Sequence, residues 1–594
     1  MPMLVQRAGL RDVVVAVLVS GLVACAWLLV SEGGLGDLGP VRRYYVYILA
    51  YGYLILLLPP PFAGKRMASA ISISLGLLVS AFLAADLTAL RFFDTPFLKL
   101  YPYLPVTAGN ASLADVVGYA VSYVPLGVWL LAVATTFLGM GASRLLPDPT
   151  RARVVSVLLL PLFYAGTALA AVASEQADPR IAALMAEPAP PLKRLASADR
   201  SGNFTLAGNS RTEPRTIVLV IMESTGASTP SSDGQRLLSR QIVDQSGTGR
   251  WVAFRNAVTN SNATDISVPS LLTGSGANES IGKIHRLPFV SQYAATRGYR
   301  TAFITSSTMR WAGFEPFFAD ASMDRIVTAA DSGLPFINDL AVDDHFAYQA
   351  AAKAVEEADG KLFLTLYPQS LHWPFQTDSA FGIPAQIQDR RARATWIAET
   401  GLRLLFETLR KTGRLDDALI VVAGDHGEFD YASTLRMPRM RMDTFEDGIL
   451  SPIFLVKAPS GMSAADYAAL AANSDKLVAN LDIAPTFADM LGAKLAGGLS
   501  FAGYSLLDAI PDDRIAYATS TNEWRHWTKA AIAVARGRER MTCNNADLCR
   551  LNTADGARLT FTRKAGPQDE LFRLASSDPV LRQALGQIYR GHYQ

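Results

Sequence analysis

Three short stretches of the sequence carry side chains that could bind a metal or take part in catalysis. The first stretch ends at Glu223. Glu223 follows residues 217–222, an unbroken apolar run rich in β-branched side chains. Such a run is typical of a strand buried on both faces of a parallel sheet. Ligands of open α/β sheets bind beyond the carboxyl ends of the strands. Glu223 is therefore a candidate site residue, although an acid here could also simply end the strand or cap the next helix.

The second stretch contains Asp425 and His426, which come after the apolar run 418–423. Neighbouring residues of a strand point to opposite faces, so these two side chains can converge only from an irregular turn. Gly424 and Gly427 permit a tight turn and the close approach of a ligand. Two carboxylates and an imidazole, with Glu223 included, suit Zn²⁺ or Mn²⁺.

The third stretch places Thr264 and Ser267 near the start of a predicted helix. The free N–H groups of a helix N-terminus attract anions. A hydroxyl beside a metal there can act as a nucleophile toward phosphate or sulfate. The alternative is N-capping by Thr264, with Asp265 or Ser267 in the first turn.

Alternating strands and helices must position these residues within residues 216–594. Strands are predicted at 217–222, 300–305, 361–367, 418–423 and 453–457. Helices are predicted at 235–245, from about 265, and at 287–297, 343–357, 388–412, 464–472 and 481–491. Repeated strand–helix units predict an α/β fold with a mostly parallel, doubly wound sheet. Residues 530–535, 540–542 and 558–562 predict a small antiparallel C-terminal subdomain.

The hydrophobic residues are unevenly distributed along the 594-residue chain. Long apolar runs predict five membrane spans, at 13–30, 44–58, 68–87, 116–138 and 154–173. We expect a transmembrane domain over 1–174, a linker over 175–215 that partly lies on the membrane surface, and a soluble domain over 216–594. The net charge of +2 gives no reason to expect nucleic acid. No charged residue lies mid-span, which argues against an ion pump or a proton-coupled transporter.

Loop charges predict the orientation of these spans. Seven basic residues lie on one side and four on the other: Arg7, Arg11, Lys65, Arg66, Arg144, Arg151 and Arg153 against Arg42, Arg43, Arg91 and Lys99. The positive-inside rule then favours a cytoplasmic N-terminus, and an odd number of spans exports the soluble domain. A cleaved signal peptide is the rival interpretation of span one. Export makes a disulfide between Cys543 and Cys549 plausible.

The three motifs together resemble the alkaline phosphatase/sulfatase superfamily: Glu223 at a strand end, Thr264 followed by Ser267-Val268-Pro269, and Asp425-His426-Gly427. Five spans ahead of such a domain look like its membrane branch, the phosphoethanolamine transferases and the lipoteichoic acid synthase-like phosphoglycerol transferases. The resemblance implies that Glu223, Thr264, Asp425 and His426 hold a catalytic metal, with Thr264 as the nucleophile. It also implies that His372 lies beside the substrate phosphate.

The sequence departs from the patterns of these families at several positions. Phosphoethanolamine transferases usually carry a further His after this motif and several disulfides, whereas residues 429–455 contain no His, which puts a second metal in doubt. The stretch 372–375 and the pair Arg310-Trp311 look closer to the phosphoglycerol branch. Substrate contacts are accordingly expected at Arg310, Trp311, Ser267 and Asn262. The sulfatase signature is half present, because Leu271 stands where it has Arg; a formylglycine sulfatase is not expected, and Ser267 is the reserve nucleophile.

The resemblance implies a head-group transferase of the bacterial inner membrane with a periplasmic catalytic domain. Thr264 would take phosphoglycerol or phosphoethanolamine from a phospholipid donor and pass it to an envelope lipid or glycan acceptor. Two alternatives remain open. One is a membrane-bound phosphodiesterase or sulfatase-type hydrolase that uses the same residues, and the other is a non-catalytic lipid-sensing regulator.

Overall fold

The computed structural model describes residues 193–594 except 207, 310–312, 339, 373–374, 379–380, 428–443, 446–447, 526–529, 545–547, 557 and 594. It also describes 126–142 and, within 73–85, all but 75 and 83. The predicted spans at 13–30, 44–58 and 154–173 lie outside these residues, and those at 68–87 and 116–138 are described only in part, as helix. No helix within the described residues combines the length and apolar character needed to cross a membrane. The five-span domain stays a prediction.

A seven-stranded sheet forms the centre of the soluble domain. Its strands are β1 Thr216–Met222, β2 Trp251–Ala253, β3 Arg300–Thr305, β4 Arg325–Val327, β5 Leu362–Tyr367, β6 Ala418–Gly424 and β7 Phe454–Lys457. Their order across the sheet is β2-β7-β6-β1-β5-β3-β4. The sheet is mostly parallel, as predicted, but β7 is antiparallel to both of its neighbours, so the sheet is mixed. The chain leaves β6 and re-enters β7 at the same edge, which forces β7 to run back.

Helices cover both faces of this sheet. The helices of the described residues are α1 Leu126–Ala142, α2 Leu238–Ser246, α3 Thr264–Thr273, α4 Ile281–Ile284, α5 Val290–Thr296, α6 Phe314–Phe318, α7 His345–Glu356, α8 Arg390–Lys411, α9 Ala464–Ala472, α10 Ile483–Met490, α11 Glu570–Ser577 and α12 Pro579–Tyr593, of which α1 precedes the sheet in the chain and α11 and α12 follow it. Every residue of β1 is buried, as the unbroken apolar run predicts. Ile217, Leu219 and Ile221 pack with α3, α5 and α10 on one face. The alternate residues of β1 pack with α2, α7 and α8 on the other.

A second, antiparallel sheet forms the C-terminal part. Its strands follow chain order: β8 Ile515–Thr519, β9 Ile532–Arg536, β10 Glu539–Asn544, β11 Leu548–Asp555 and β12 Arg558–Lys564. Helices α11 and α12 pack against it. Cys543 and Cys549 lie opposite each other on β10 and β11 and form a disulfide. Strands β8 and β11 and both helices were not predicted; β11 mixes Arg, Asn and Asp with apolar residues and lacks the regular alternation that indicates a strand.

Part of the predicted linker belongs to the folded domain. Leu195 is buried in the main core. The Arg200 guanidinium donates to the carbonyls of Ile284 and Leu287 and lies over the Phe289 ring. A short strand, Phe204–Leu206, pairs antiparallel with Ala493–Leu495. The folded domain therefore includes residues from 193 onward.

Candidate metal centre

The predicted ligands meet at the carboxyl edge of the parallel strands. Glu223 follows β1, and Asp425 follows the adjacent strand β6, with Met222 and Gly424 in register. Tyr367 ends β5, the neighbour of β1 on the other side. Adjacent parallel strands end at the same edge, so the topology alone brings these side chains together.

Thr264 points its hydroxyl at the predicted ligands. Its Oγ1 lies 2.9 Å from Asp425 Oδ2, 3.1 Å from Glu223 Oε1 and 3.4 Å from His426 Nε2. Ala263 occupies the N-cap position of α3, and no side chain caps the helix. The capping alternative therefore does not describe Thr264, whose hydroxyl faces the carboxylates instead.

Glu223, Asp425 and His426 form a set of metal-ligand type. Each offers one ligand atom, and the three atoms lie within 4.8 Å of one another. His426 Nδ1 lies 2.8 Å from the Gly427 carbonyl. A carbonyl only accepts, so Nδ1 carries a proton, and whenever the ring is neutral Nε2 presents its lone pair to the other ligands. Two carboxylates, an imidazole and a hydroxyl fit a divalent cation such as Zn²⁺ or Mn²⁺.

The electrostatics of the two buried carboxylates agree with a cation between them. Burial, reinforced by the charge of Glu223, raises the pKa of Asp425 to about 6. Burial also opposes ionisation of Glu223, but the charges of His372 and His426 and the hydrogen bond from Tyr367 outweigh it and hold the pKa of Glu223 below its ordinary value. Two facing carboxylates repel each other when both are ionised, and a bound cation would relieve that repulsion.

Side-chain donors to one main-chain carbonyl hold the Asp425–His426 turn in place. The Asp425 carbonyl accepts from Asn480 Nδ2 at 2.9 Å, from Thr259 Oγ1 at 2.6 Å and from Ser267 Oγ. Asn480 and Ser267 are fully buried. Ser267 thus lies one helical turn after Thr264 but faces the protein interior, and its predicted role in substrate binding stays a prediction.

The tight turns of the site are set by neighbouring backbone. A Cβ on Gly424 would lie 2.3 Å from the Thr225 carbonyl oxygen, and one on Gly427 would lie 1.6 Å from that of Gly448. Both positions therefore require glycine because the protein's own backbone comes close. The sequence had suggested the approach of a ligand as the reason. Ser224 has a left-handed φ of 48°, and its N–H donates to Asp425 Oδ1 at 2.8 Å.

A pocket opens beside Thr264 and Glu223. Its lining includes the polar residues Tyr367, Gln369 and His372 and the apolar residues Met309, Phe314 and Leu340. The structure therefore brings His372 into the same pocket as the ligands, as its place after β5 predicts. Its role beside a phosphate stays a prediction.

Three further residues, Asn262, Arg310 and Trp311, were predicted to contact the substrate. Asn262 is buried, and its Nδ2 donates to the Thr444 carbonyl at 3.0 Å. Arg310 and Trp311 lie outside the described residues.

Sequence reasoning missed three residues around the site: Tyr367, Asn480 and Asp344. Tyr367 donates its hydroxyl to Glu223 Oε2, and its place at a strand end was a usable signal. The buried Asp344 carboxylate accepts from the N–H groups of Gln369 and Ser370, at 2.7 and 2.6 Å, and so holds the loop that carries His372. No residue pattern indicates the contacts of Asn480 or Asp344 to distant backbone.

Comparison with known proteins finds a family to which part of this chain is similar. The family model described as Sulfatase matches residues 215–493. A curated relative from Escherichia coli strain K12, the uncharacterized sulfatase YdeN, is 23% identical over 319 residues, which cover 47% of this chain and 55% of the relative. The chain thus spans about half the length of that relative.

Two solved structures are also similar to this chain. The lipoteichoic acid synthase LtaP from Listeria monocytogenes has a TM-score of 0.46 at 14% identity, over 66% of this chain and 97% of that one. The lipooligosaccharide phosphoethanolamine transferase A (EptA) from Neisseria meningitidis has a TM-score of 0.42 at 12% identity, over 80% of this chain and 96% of that one. Residues 215–493 of this chain are therefore similar in sequence to the Sulfatase family.

Proposed function

We propose that this protein is a metal-dependent transferase that moves a phospholipid head group, phosphoglycerol or phosphoethanolamine, through a phospho-Thr264 intermediate. One observation carries the proposal: Thr264 Oγ1, at a helix N-terminus, lies within 3.4 Å of an atom of each of Glu223, Asp425 and His426. A hydroxyl held by ligand-type side chains in the lining of a pocket suits nucleophilic attack on phosphorus.

Glu223, Asp425, His426 and Thr264 would hold a single Zn²⁺ or Mn²⁺. When bound, such a cation lowers the pKa of a hydroxyl and neutralises the charge on a phosphate oxygen. The N-terminal N–H groups of α3 add a partial positive charge on the same side. The sequence departure at 429–455 favours one metal over two.

The transfer takes two balanced steps. Thr264 Oγ1 attacks the phosphorus of the phosphodiester, the bond to the diacylglycerol oxygen breaks, and the hydroxyl proton reaches that oxygen through His372. The head group then remains on Thr264. In the second step an acceptor hydroxyl of an envelope lipid or glycan attacks the same phosphorus, Thr264 leaves, and the acceptor's proton returns to Thr264 through His372.

The second candidate function is hydrolysis, with water as the acceptor. The match to the Sulfatase family model favours it. Thr264 as the hydroxyl at the ligands, and Leu271 in place of the signature Arg, argue against sulfate ester chemistry based on formylglycine. Either activity would be located at a bacterial inner membrane, with the catalytic domain in the periplasm.

The test is the mass of a trapped adduct. Purified full-length protein in vesicles of phosphatidylglycerol or phosphatidylethanolamine is quenched in acid, and the peptide containing Thr264 is analysed by mass spectrometry. We expect an added phosphoglycerol or phosphoethanolamine on Thr264, and no adduct in Thr264→Ala. Label that moves from lipid to an added acceptor supports transfer. An adduct on Ser267, or free head group as the sole product, would contradict the proposal.

A further inference from the structure

Residues 332–338, here called the apolar loop, expose four consecutive apolar side chains. Phe336 is 52% exposed, Pro335 is also exposed, and Leu334 and Ile337 are half-buried. A run of exposed apolar residues on a polar surface is unfavourable unless something covers it.

The apolar loop is attached to the wall of the pocket. The N–H of Ile337 donates to the Ala341 carbonyl at 2.9 Å, and the N–H of Thr308 donates to the Leu340 carbonyl at 2.8 Å. Asn338 Oδ1 accepts from the N–H groups of Leu340 and Ala341, at 2.9 and 2.8 Å. Because Thr308 and Leu340 line the pocket, the apolar loop stands at its rim.

The chain enters the folded domain at Lys193, beside residues that contact the start of helix α3. The N–H of Lys193 donates to the Glu523 carbonyl at 2.7 Å, and the two side chains form an ion pair of 3.3 Å. Trp524, the next residue after Glu523, donates from Nε1 to the carbonyl of Asp265, the neighbour of Thr264.

Leu195 lies close to Gly313, the residue that precedes Phe314 in the chain. Its carbonyl oxygen lies 3.8 Å from the position of a Cβ on Gly313, and Phe314 lines the pocket. The 192 residues before Lys193 carry the apolar runs that predict the membrane spans. The chain from the predicted membrane part therefore enters the domain next to residues that adjoin the pocket lining in sequence.

We propose that the pocket mouth faces a phospholipid bilayer and that the apolar loop inserts Leu334–Ile337 at the level of the head groups and upper acyl chains. Apolar side chains flanking a polar site favour this interfacial position. The apolar wall of Met309, Phe314 and Leu340 then continues from the bilayer to Thr264. The proposal rests on the proposed function for its substrate: the phosphodiester reaches Thr264 while the diacylglycerol stays in the membrane.

The size of the patch favours a bilayer over a protein partner. A stable protein interface buries roughly 800 Å² on each side, far more than four side chains supply. A bilayer needs no matching surface, because each apolar side chain enters it independently.

The insertion is tested with a fluorescent label. Full-length protein carrying Cys25→Ser and Phe336→Cys is labelled with a nitrobenzoxadiazole dye and reconstituted in phosphatidylglycerol vesicles. Phe561→Cys in the same background is the matched control, because Phe561 is 48% exposed on β12 of the C-terminal sheet. We expect the label at 336 to be quenched by nitroxide lipids and protected from iodide, and the label at 561 to show the reverse. Equal access of iodide to both labels, or protection of 336 from both quenchers, would overturn the proposal, the latter by showing contact with protein.

A catalytic readout separates this proposal from the proposed function. For Phe336→Ser we expect kcat/KM on vesicle phospholipid, relative to kcat/KM on bis(p-nitrophenyl) phosphate, to fall about tenfold, as expected for losing one inserted aromatic side chain. Phe561→Ser should leave this ratio unchanged. An unchanged ratio in Phe336→Ser, with lipid turnover intact, would overturn the insertion alone. Lipid quenching at 336 without turnover of any phosphodiester would overturn the proposed function alone.

Discussion

The two edges of the central sheet both bury charge, and they do so in opposite ways. At the amino edge, Arg414 donates to Thr216 Oγ1 and the Gly360 carbonyl, each at 3.0 Å, and to the Ala358 carbonyl. Lys457 Nζ donates to three carbonyls just before and within β6. At the carboxyl edge, Glu223 and Asp425 face each other across the Thr264 hydroxyl.

The difference separates structural charges from functional ones. Burial lowers the pKa of Lys457 to about 8, yet each of its hydrogen bonds goes to neutral backbone, which needs no further partner. At the other edge, the neighbour of each carboxylate, Glu223 or Asp425, is another negative charge. Histidine is the positively charged partner that the fold places beside them, so a bound cation would balance the remaining negative charge. Buried charges satisfied by backbone indicate structure, and facing like charges indicate a ligand.

The largest expected effect is at the carboxyl edge, in Asp425→Asn. Metal affinity, measured by isothermal titration, should fall more than about 100-fold, because even partners outside the ligand set cost 10- to 100-fold. Turnover should fall about 1,000-fold or more, since loss of one preorganised electrostatic contact already costs about 100- to 1,000-fold. Unchanged metal affinity would remove Asp425 from the ligand set.

The same variant should make the metal-free protein more stable. The pKa of Asp425 is about 6 in the folded protein against an ordinary 3.8, so the folded state binds more protons between these values. The free energy of unfolding therefore decreases as pH rises through this window, and the loss is complete at about pH 7. Asp425→Asn removes this ionisation and with it the loss of stability. The variant should therefore gain on the order of 1–3 kcal/mol in free energy of unfolding at pH 7 and nothing near pH 4. Denaturant titrations at the two pH values test this.

At the amino edge the expected effect is on stability alone. Arg414→Met removes three hydrogen bonds and leaves buried acceptors without a donor, so the free energy of unfolding should fall by about 3 kcal/mol. Metal affinity should stay within about twofold of wild type, because the edge is remote from the ligands. Arg403→Met is the control, because Arg403 is an exposed residue of helix α8, which ends shortly before Arg414. A large loss of metal affinity in Arg414→Met would contradict the division between the two edges.

Asn480 tests whether the backbone of Asp425 matters to the site. Asn480→Asp places an acceptor against the Asp425 carbonyl, which should move the turn and lower metal affinity about 10- to 100-fold. Asn473→Asp is the matched control, since buried Asn473 also donates to two carbonyls, those of Leu506 and Asp508. We expect both variants to lose stability and Asn480→Asp alone to lose metal affinity; equal affinities would make Asn480 merely structural.

The smallest expected effect is that of Tyr367→Phe. The hydroxyl of Tyr367 helps to lower the pKa of Glu223, so its loss raises that pKa and protons compete better with the cation. The pH midpoint of metal binding should move upward, and affinity should fall most at acidic pH, by up to about tenfold. Tyr348→Phe is the control, because the buried Tyr348 hydroxyl meets no hydrogen-bond partner within the described part of the chain. A midpoint that shifts downward would contradict the assignment.

Sequence patterns predicted the parts of the molecule in which local chemistry determines structure. Strand β3 was predicted with its observed bounds, and β1 and β6 to within one residue, because long β-branched runs leave few alternatives. Glu223, Asp425 and His426 follow from those strand ends. Asn480 and Asp344 could not be predicted, because their partners are backbone groups of segments far away in the chain. The direction of β7 was missed for the same reason, since it depends on where the chain returns to the sheet.

The contacts of residues 193–206 determine where the folded domain can be separated from the rest of the chain. A fragment starting at residue 216 would lose the Arg200 side chain, which bonds the carbonyls of Ile284 and Leu287, and the short strand beside Ala493–Leu495. It would also expose core residues that Leu195 covers. Proteolytic cleavage ahead of Lys193 would release an intact domain, whereas cleavage after Arg200 would open its core.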